Sequence, residues 1–256
     1  MTQLVHHPIY LFVLLIVLLC VAAALGALVL QRVFPLGDDA RDNYNVIQGA
    51  TLTLLALLIG FTLSMAVSRY DQRKNYEEEE ANAIGTQYLR ADLLGEEDAP
   101  KVRALLAQYV ALRIAYYTTR DTDELETLNN KTSNLQGQLW ASVRGPAIAR
   151  PTPISALVVS GMNDVLNSQG YTQAAWLNRI PLSAWGLMMA IAFFSNLMQG
   201  YGSHGSTGRR VLLFALPITV ALSLSLIADI DSPRGGLIRV VPVNLISLQQ
   251  SFGSAP

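Results

Sequence analysis

The chain has 256 residues, of which 51% are hydrophobic and only 14% charged, and its 18 basic and 19 acidic side chains nearly cancel. Ordinary soluble domains carry about a quarter charged residues, so this chain, with a mean hydropathy of +0.32, is not one of them. A net charge of −1 also offers no basic surface for nucleic acid. The charges are unevenly placed. Twenty-six of them fall between Ser68 and Ile180, and the rest are scattered among long apolar runs. That is the pattern of a membrane protein with one soluble insert.

Four uncharged segments approach the roughly 20 apolar residues needed to cross a bilayer: Ile9–Leu30, Val46–Val67, Pro181–Met198 and Val211–Ala228. The first has no Lys or Arg ahead of it and runs past the cleavage-like "VAAALGA", so it reads as a retained helix rather than a signal peptide. Cys20, the lone cysteine, reads as packing. With the termini and the insert on one side, that side carries Arg69, Arg73, Lys74, Arg179, Arg234 and Arg239. The other side carries Arg32, Arg41, Arg209 and Arg210. The excess places the insert and both termini in the cytoplasm, in a plasma or inner membrane.

Span two is followed without a break by "SRYDQRKNYEEEEANAIGTQYLRADLLG", which has no Pro and reaches its next Gly only at Gly85. One helix is therefore expected to run through both. At about 100° per residue, Tyr70, Glu77, Ala81, Ile84 and Tyr88 share a line, so Glu77 sits on an apolar stripe where Arg73, one turn earlier, can reach it. Glu79 points away with Asn82 and Thr86. Further helices are expected over "APKVRALLAQYVALRIAYYTTR", over "DTDELETLNNKTSNLQGQLWASVRG" with Asp121 or Thr122 as N-cap, and over "RPTPISALVVSGMNDVLNSQG". The architecture is all-α: spans one and two over 1–67, a cytosolic helical insert over 68–180, spans three and four over 181–230, and a C-terminal tail over 231–256.

Several motifs carry no chemistry. "GYGSHG" (Gly200–Gly205) spells a dinucleotide fingerprint but follows a membrane helix rather than a strand, and reads as a turn. Of the three histidines, His6, His7 and His204, the first two are an adjacent pair near a terminus with no third and fourth ligand, so no metal and no cofactor is expected. No catalytic triad or phosphate loop has a plausible context, and the chain is not read as an enzyme. "DIDSPRGG" (Asp229–Gly236) reads first as a turn, built on Pro233 and Gly235, whose Asp229 and Asp231 pair with Arg69, Arg73 or Arg234. A gating or ion site is the second reading.

Span two itself is patterned. Ala56, Gly60 and Ser64 form a small-xxx-small seam, with Leu54, Leu58, Phe61 and Met65 across from it. Small residues allow close approach of helices in lipid. The seam fits either packing within one four-helix bundle or helices crowded around an axis.

The stretch Gly60–Tyr70, "GFTLSMAVSRY", resembles the second transmembrane helix of the bestrophin channels, matching Gly60, Phe61, Ser64, Val67, Ser68, Arg69 and Tyr70. "DIDSPRGG" resembles the acidic-Pro-Gly turn that bestrophins place after their last span. "EEANAIGTQYLRADLL" and "GLIRV" are similar to a group of bacterial bestrophin-like membrane proteins. The resemblance covers most of 46–245. It implies a homopentamer embedded in lipid, with span two lining a pore for inorganic ions and a hydrophobic neck at Thr53, Leu57 and Phe61. Thr53 departs from the apolar pattern of that neck, and the two aspartates alone make calcium gating doubtful. On this arrangement Glu77, Glu78, Glu79 and Glu80 would ring an acidic vestibule and favour cations. The alternatives are an anion channel and a non-conducting scaffold that binds a cytosolic partner.

Overall fold

A computed structural model describes residues 8–203 and 213–253. All three histidines, Arg209, Arg210 and the end of the "GYGSHG" loop lie outside the described residues. Among those described, the regular structure is entirely helical: α1 Pro8–Leu25, α2 Arg41–Arg90, α3 Ala99–Thr118, α4 Thr122–Ala149, α5 Pro153–Leu177, α6 Leu182–Tyr201, α7 Ala215–Asp231 and α8 Val243–Gly253. Three stretches, Ile9–Val33, Asp38–Leu93 and Pro153–Tyr201, are long and apolar enough to cross a membrane. The expected fourth span is described from Leu213 onward and supplies the 17 residues of α7.

The chain divides into two compact units. An apolar unit is built from residues 8–69 and 179–239, and a polar unit from 70–178 and 240–253. The expected tail is therefore shared: its first part stays with the apolar unit, and α8 belongs to the core of the polar unit, where Leu245 is fully buried.

In the apolar unit, Leu15 and Leu19 of α1, Leu55 of α2, Met188 and Ala192 of α6 and Val220 and Leu224 of α7 form one core. Helices α1 and α6 meet backbone to backbone through two reciprocal glycines. A methyl group added at Gly26 would lie 1.9 Å from the Leu197 carbonyl oxygen, and one at Gly200 would lie 1.9 Å from that of Ala23. Only glycine permits this approach. At the same place α1 relaxes into a π turn over Gly26–Leu30 before a last α turn, Gln31–Val33. Gln31 Nε2 then donates to the Ser203 carbonyl at 2.8 Å.

Helix α2 is 50 residues long and unbroken. Nothing in its sequence stops it: no Pro occurs, and after Val67 the chain continues in good helix formers such as Arg, Glu, Ala and Gln. Within the polar unit, α2, α3, α4, α5 and α8 surround a core that includes Ile84, Leu106, Tyr109, Leu139, Met162 and Leu245. Asp121 caps α4 by accepting from the Asp123 amide at 2.9 Å, and Thr152 with Ser155 forms a capping box at the start of α5. Two helices run further than expected. α4 continues past Gly145 and Pro146 to Ala149, and α5 passes through Gly170 to Leu177. Both glycines lie in open surroundings that demand no special backbone conformation.

Candidate functional site

The two faces of α2 differ along its length. In the apolar unit Gln48, Leu55, Thr62 and Ala66 are buried. The opposite face, through Thr53, Leu57, Phe61 and Ser64, is uncovered, with Leu57 52% and Phe61 68% exposed. Ala56 and Gly60 flank this face and are exposed too, and a methyl group at Gly60 would meet nothing within 4 Å. Among the described residues, the small-residue seam therefore packs against no helix of its own protomer. The Thr53 hydroxyl donates to the Gly49 carbonyl at 2.9 Å, so it stands on this face already satisfied.

Below that face the "DIDSPRGG" turn is held by both of its aspartates. Asp229 accepts from the amides of Leu237 (2.7 Å) and Ile238 (2.9 Å). Asp231 accepts from the Ile180 amide at 3.1 and 3.2 Å and forms an ion pair with Arg69 at 3.5 Å. Both carboxylates are buried. The Gly235 amide donates to Ser232 Oγ at 3.3 Å, after the bend at Pro233. Gly236, which no sequence argument singled out, is indispensable to this turn, because a methyl group there would sit 2.4 Å from the Asp229 carbonyl oxygen. Asp231 thus staples the end of α7 to the segment after α5 and to α2, while Asp229 folds the loop after α7 back onto that helix.

The four glutamates separate into two pairs. Glu78 and Glu79 are exposed. Glu77 and Glu80 are 1% and 0% exposed, so the expectation that all four line an aqueous vestibule is corrected for these two. Glu77 binds the first turn of α8, accepting from the Leu245 amide at 2.9 Å and from Asn244 Nδ2 at 2.7 Å. A carboxylate placed on the free amides of a helix N-terminus is favoured by both hydrogen bonding and the helix dipole. Glu80 forms a buried ion pair and hydrogen bonds with Arg113, and accepts from Tyr117 (3.2 Å) and Thr172 (3.1 Å).

Arg113 in turn lies over the Tyr116 ring, 4.4 Å from its centroid. Burial opposes its charge, but the Glu80 carboxylate outweighs burial and raises its pKa. Burial first, and then the Glu80 charge, push the hydroxyls of Tyr109 and Tyr117 far above the usual tyrosine range. Arg73, also buried, donates to the carbonyls of Ala175 and Asn178, both at 3.2 Å, and so satisfies the C-terminal end of α5. Among the described residues no group of three or more His, Cys, Asp or Glu comes together as a metal site would require.

A continuous uncovered face on the uncharged stretch 43–68 of α2, next to an acidic turn stapled to the same helix, is a recognisable arrangement. The family model for the bestrophin-like domain matches residues 17–245. The chain belongs to the bestrophin-like family. It is similar in structure to a bacterial bestrophin homolog from Klebsiella pneumoniae, with a TM-score of 0.68 at 12% identity over 96% of this chain and 97% of that one. A variant of the same homolog gives a TM-score of 0.68 at 13% identity, covering 96% of each chain. At such identities the likeness shows the fold. No curated protein matches this chain. As a bestrophin-like protein it is an all-helical membrane protein.

Proposed function

We propose that this bestrophin-like protein is a homo-oligomeric ion channel, pentameric by family resemblance, in which the uncovered face of α2 surrounds the conduction path. The observation that carries the reading is the exposure of Leu57 and Phe61, on an uncharged stretch of α2 whose opposite face is packed into its own protomer. Exposed apolar faces of this size are partner or lipid surfaces. The adjacent seam of Ala56, Gly60 and Ser64, with open space around it, lets neighbouring copies approach closely. Leu57 and Phe61 then form an apolar neck that gates by dewetting, with Thr53 a polar ring at one end. Glu78 and Glu79 supply the ion-attracting charge, and the channel prefers cations.

The test is conductance in planar bilayers under a salt gradient. Wild type should give a cation-selective reversal potential. Glu78→Gln together with Glu79→Gln should move that potential towards zero, and Phe61→Ala should raise the resting leak. An anion-selective potential unaffected by the double substitution would replace the cation reading with the anion one. A single polypeptide per detergent particle, with no flux in liposomes, would support the scaffold instead.

A further inference from the structure

The buried face of α2 carries a second polar feature, on the side away from Leu57 and Phe61. Gln48 is 8% exposed, and its Nε2 donates to Gln199 Oε1 at 3.2 Å and approaches the Ser195 carbonyl at 3.4 Å. Ser195 and Asn196 of α6 are fully buried, and Asn196 Nδ2 donates to the Ala192 carbonyl at 2.7 Å. Three oxygens are left over. Gln48 Oε1, Ser195 Oγ and Asn196 Oδ1 are each buried without a hydrogen-bond partner.

The amide orientations are not arbitrary. Both amide nitrogens face backbone carbonyls, which cannot turn into donors, so the amide oxygens are the free ends. Along α6, Ser195, Asn196 and Gln199 fall within roughly a third of the helix circumference, at 3.6 residues per turn. Ser195 and Gln199 face Gln48 of α2, and Asn196 is their neighbour on the same helix. Buried polar groups in apolar surroundings are costly unless satisfied, and inside a membrane-spanning unit they mark functional positions.

Gln48 Oε1 and Asn196 Oδ1 can only accept, and the Ser195 hydroxyl can accept or donate, so a ligand that touches all three brings positive charge or donated hydrogens. Residues 43–68 of α2 and the whole of α6 contain no carboxylate, so there is no charge to compensate a dehydrated divalent ion. We infer that Gln48, Ser195 and Asn196, with Gln199 beside them, form a binding site for a monovalent metal cation of the sodium or potassium class, set behind the helix that carries the proposed neck. The cation is a structural ligand that fastens α2 to α6, not the permeating ion.

The experiment is thermal unfolding of the purified full chain in detergent, titrated with sodium, potassium or N-methyl-D-glucamine chloride at constant ionic strength. A ligand that binds only the folded state raises the unfolding temperature in a concentration-dependent manner. Sodium or potassium should give a saturable rise of several degrees that N-methyl-D-glucamine does not. Gln48→Leu and Asn196→Leu should abolish it. Ser195→Ala, the mildest change, should weaken half-saturation several-fold even if the leucine variants fail to fold. Phe61→Ala and the Glu78→Gln/Glu79→Gln pair should retain it, which separates this site from the conduction path. Identical unfolding in all three salts would overturn the proposal and leave a water-filled seam, as would a cation effect that survives Ser195→Ala unchanged. Because unfolding needs no conduction, the outcome is independent of whether the protein is a channel.

Discussion

The two units of this protein bury polar groups by opposite rules. The polar unit takes whole charges inside and answers each with a counter-charge or a set of donors: Glu80 with Arg113, Tyr117 and Thr172, Glu77 with the start of α8, and Arg73 with the end of α5. Among the described residues, the core of the apolar unit buries no charge away from the Asp229–Asp231 turn. It buries neutral amides and hydroxyls instead, among them Gln48, Ser195 and Asn196. The difference teaches where each unit is vulnerable. In the polar unit, removing one member of a pair strands another. In the apolar unit, adding a single methyl group at a helix crossing does the damage.

The largest effect should come from Arg113→Leu. It leaves Glu80 charged and buried, which costs about 3–5 kcal/mol, and denaturant unfolding followed by helix content would register it. Replacing Glu80 and Arg113 together by leucine should cost less than either single change, whereas Glu79→Gln, on the exposed side, should stay within about 0.5 kcal/mol. A double variant worse than both singles would break the contrast between paired and unpaired glutamates.

Gly200→Ala comes next. Its methyl group meets the Ala23 carbonyl at 1.9 Å, so α1 and α6 must separate, at about 1–3 kcal/mol or more. Gly137→Ala, with open space around it, should be neutral or slightly stabilising. Melting temperatures in one detergent decide between them, and equal losses at the two sites would contradict the backbone-to-backbone crossing.

The smallest effect concerns pH. Burial, reinforced by Glu80, favours the neutral Tyr117 hydroxyl in the folded protein. The folded state therefore keeps this proton where the unfolded chain has lost it. The resulting stability is fully present below the ordinary tyrosine value of about 10 and declines as pH rises beyond it. Tyr117→Phe should cost about 1 kcal/mol at neutral pH. The gap between the two proteins should narrow above pH about 10, as alkaline unfolding curves would show. A gap that widened with pH would invert the sign.

Much of this was legible in the residues. The unbroken passage of α2 from an uncharged run into four glutamates follows from the lack of any helix breaker. The burial of Glu77 follows from the line it shares with Ala81 and Ile84. The role of Glu80 was not legible, because its partners Arg113 and Thr172 are 33 and 92 positions away and helical spacing carries no information at that range. Whether the seam of Ala56, Gly60 and Ser64 packs internally was equally closed to pattern, since a small residue suits any close neighbour. Helix α8 had a signal that went unused: Leu245, Leu248 and Phe252 at spacings of three and four, following Pro242. Phe252 stacks on Tyr88 with ring centroids 4.0 Å apart. Gln48 is one of the few polar side chains within span two, and its meaning requires knowing that Ser195 and Gln199 face it.

The wide turn at Gly26–Leu30 makes one stretch of α1 tolerant in an unusual way. A π turn houses one residue more than an α turn, so excising one of its aliphatic residues would tighten the coil locally. Leu15 and Leu19 on one side and Gln31 on the other would keep their azimuths. The same excision three turns earlier would rotate everything that follows it by about 100° and turn the inward leucines towards lipid.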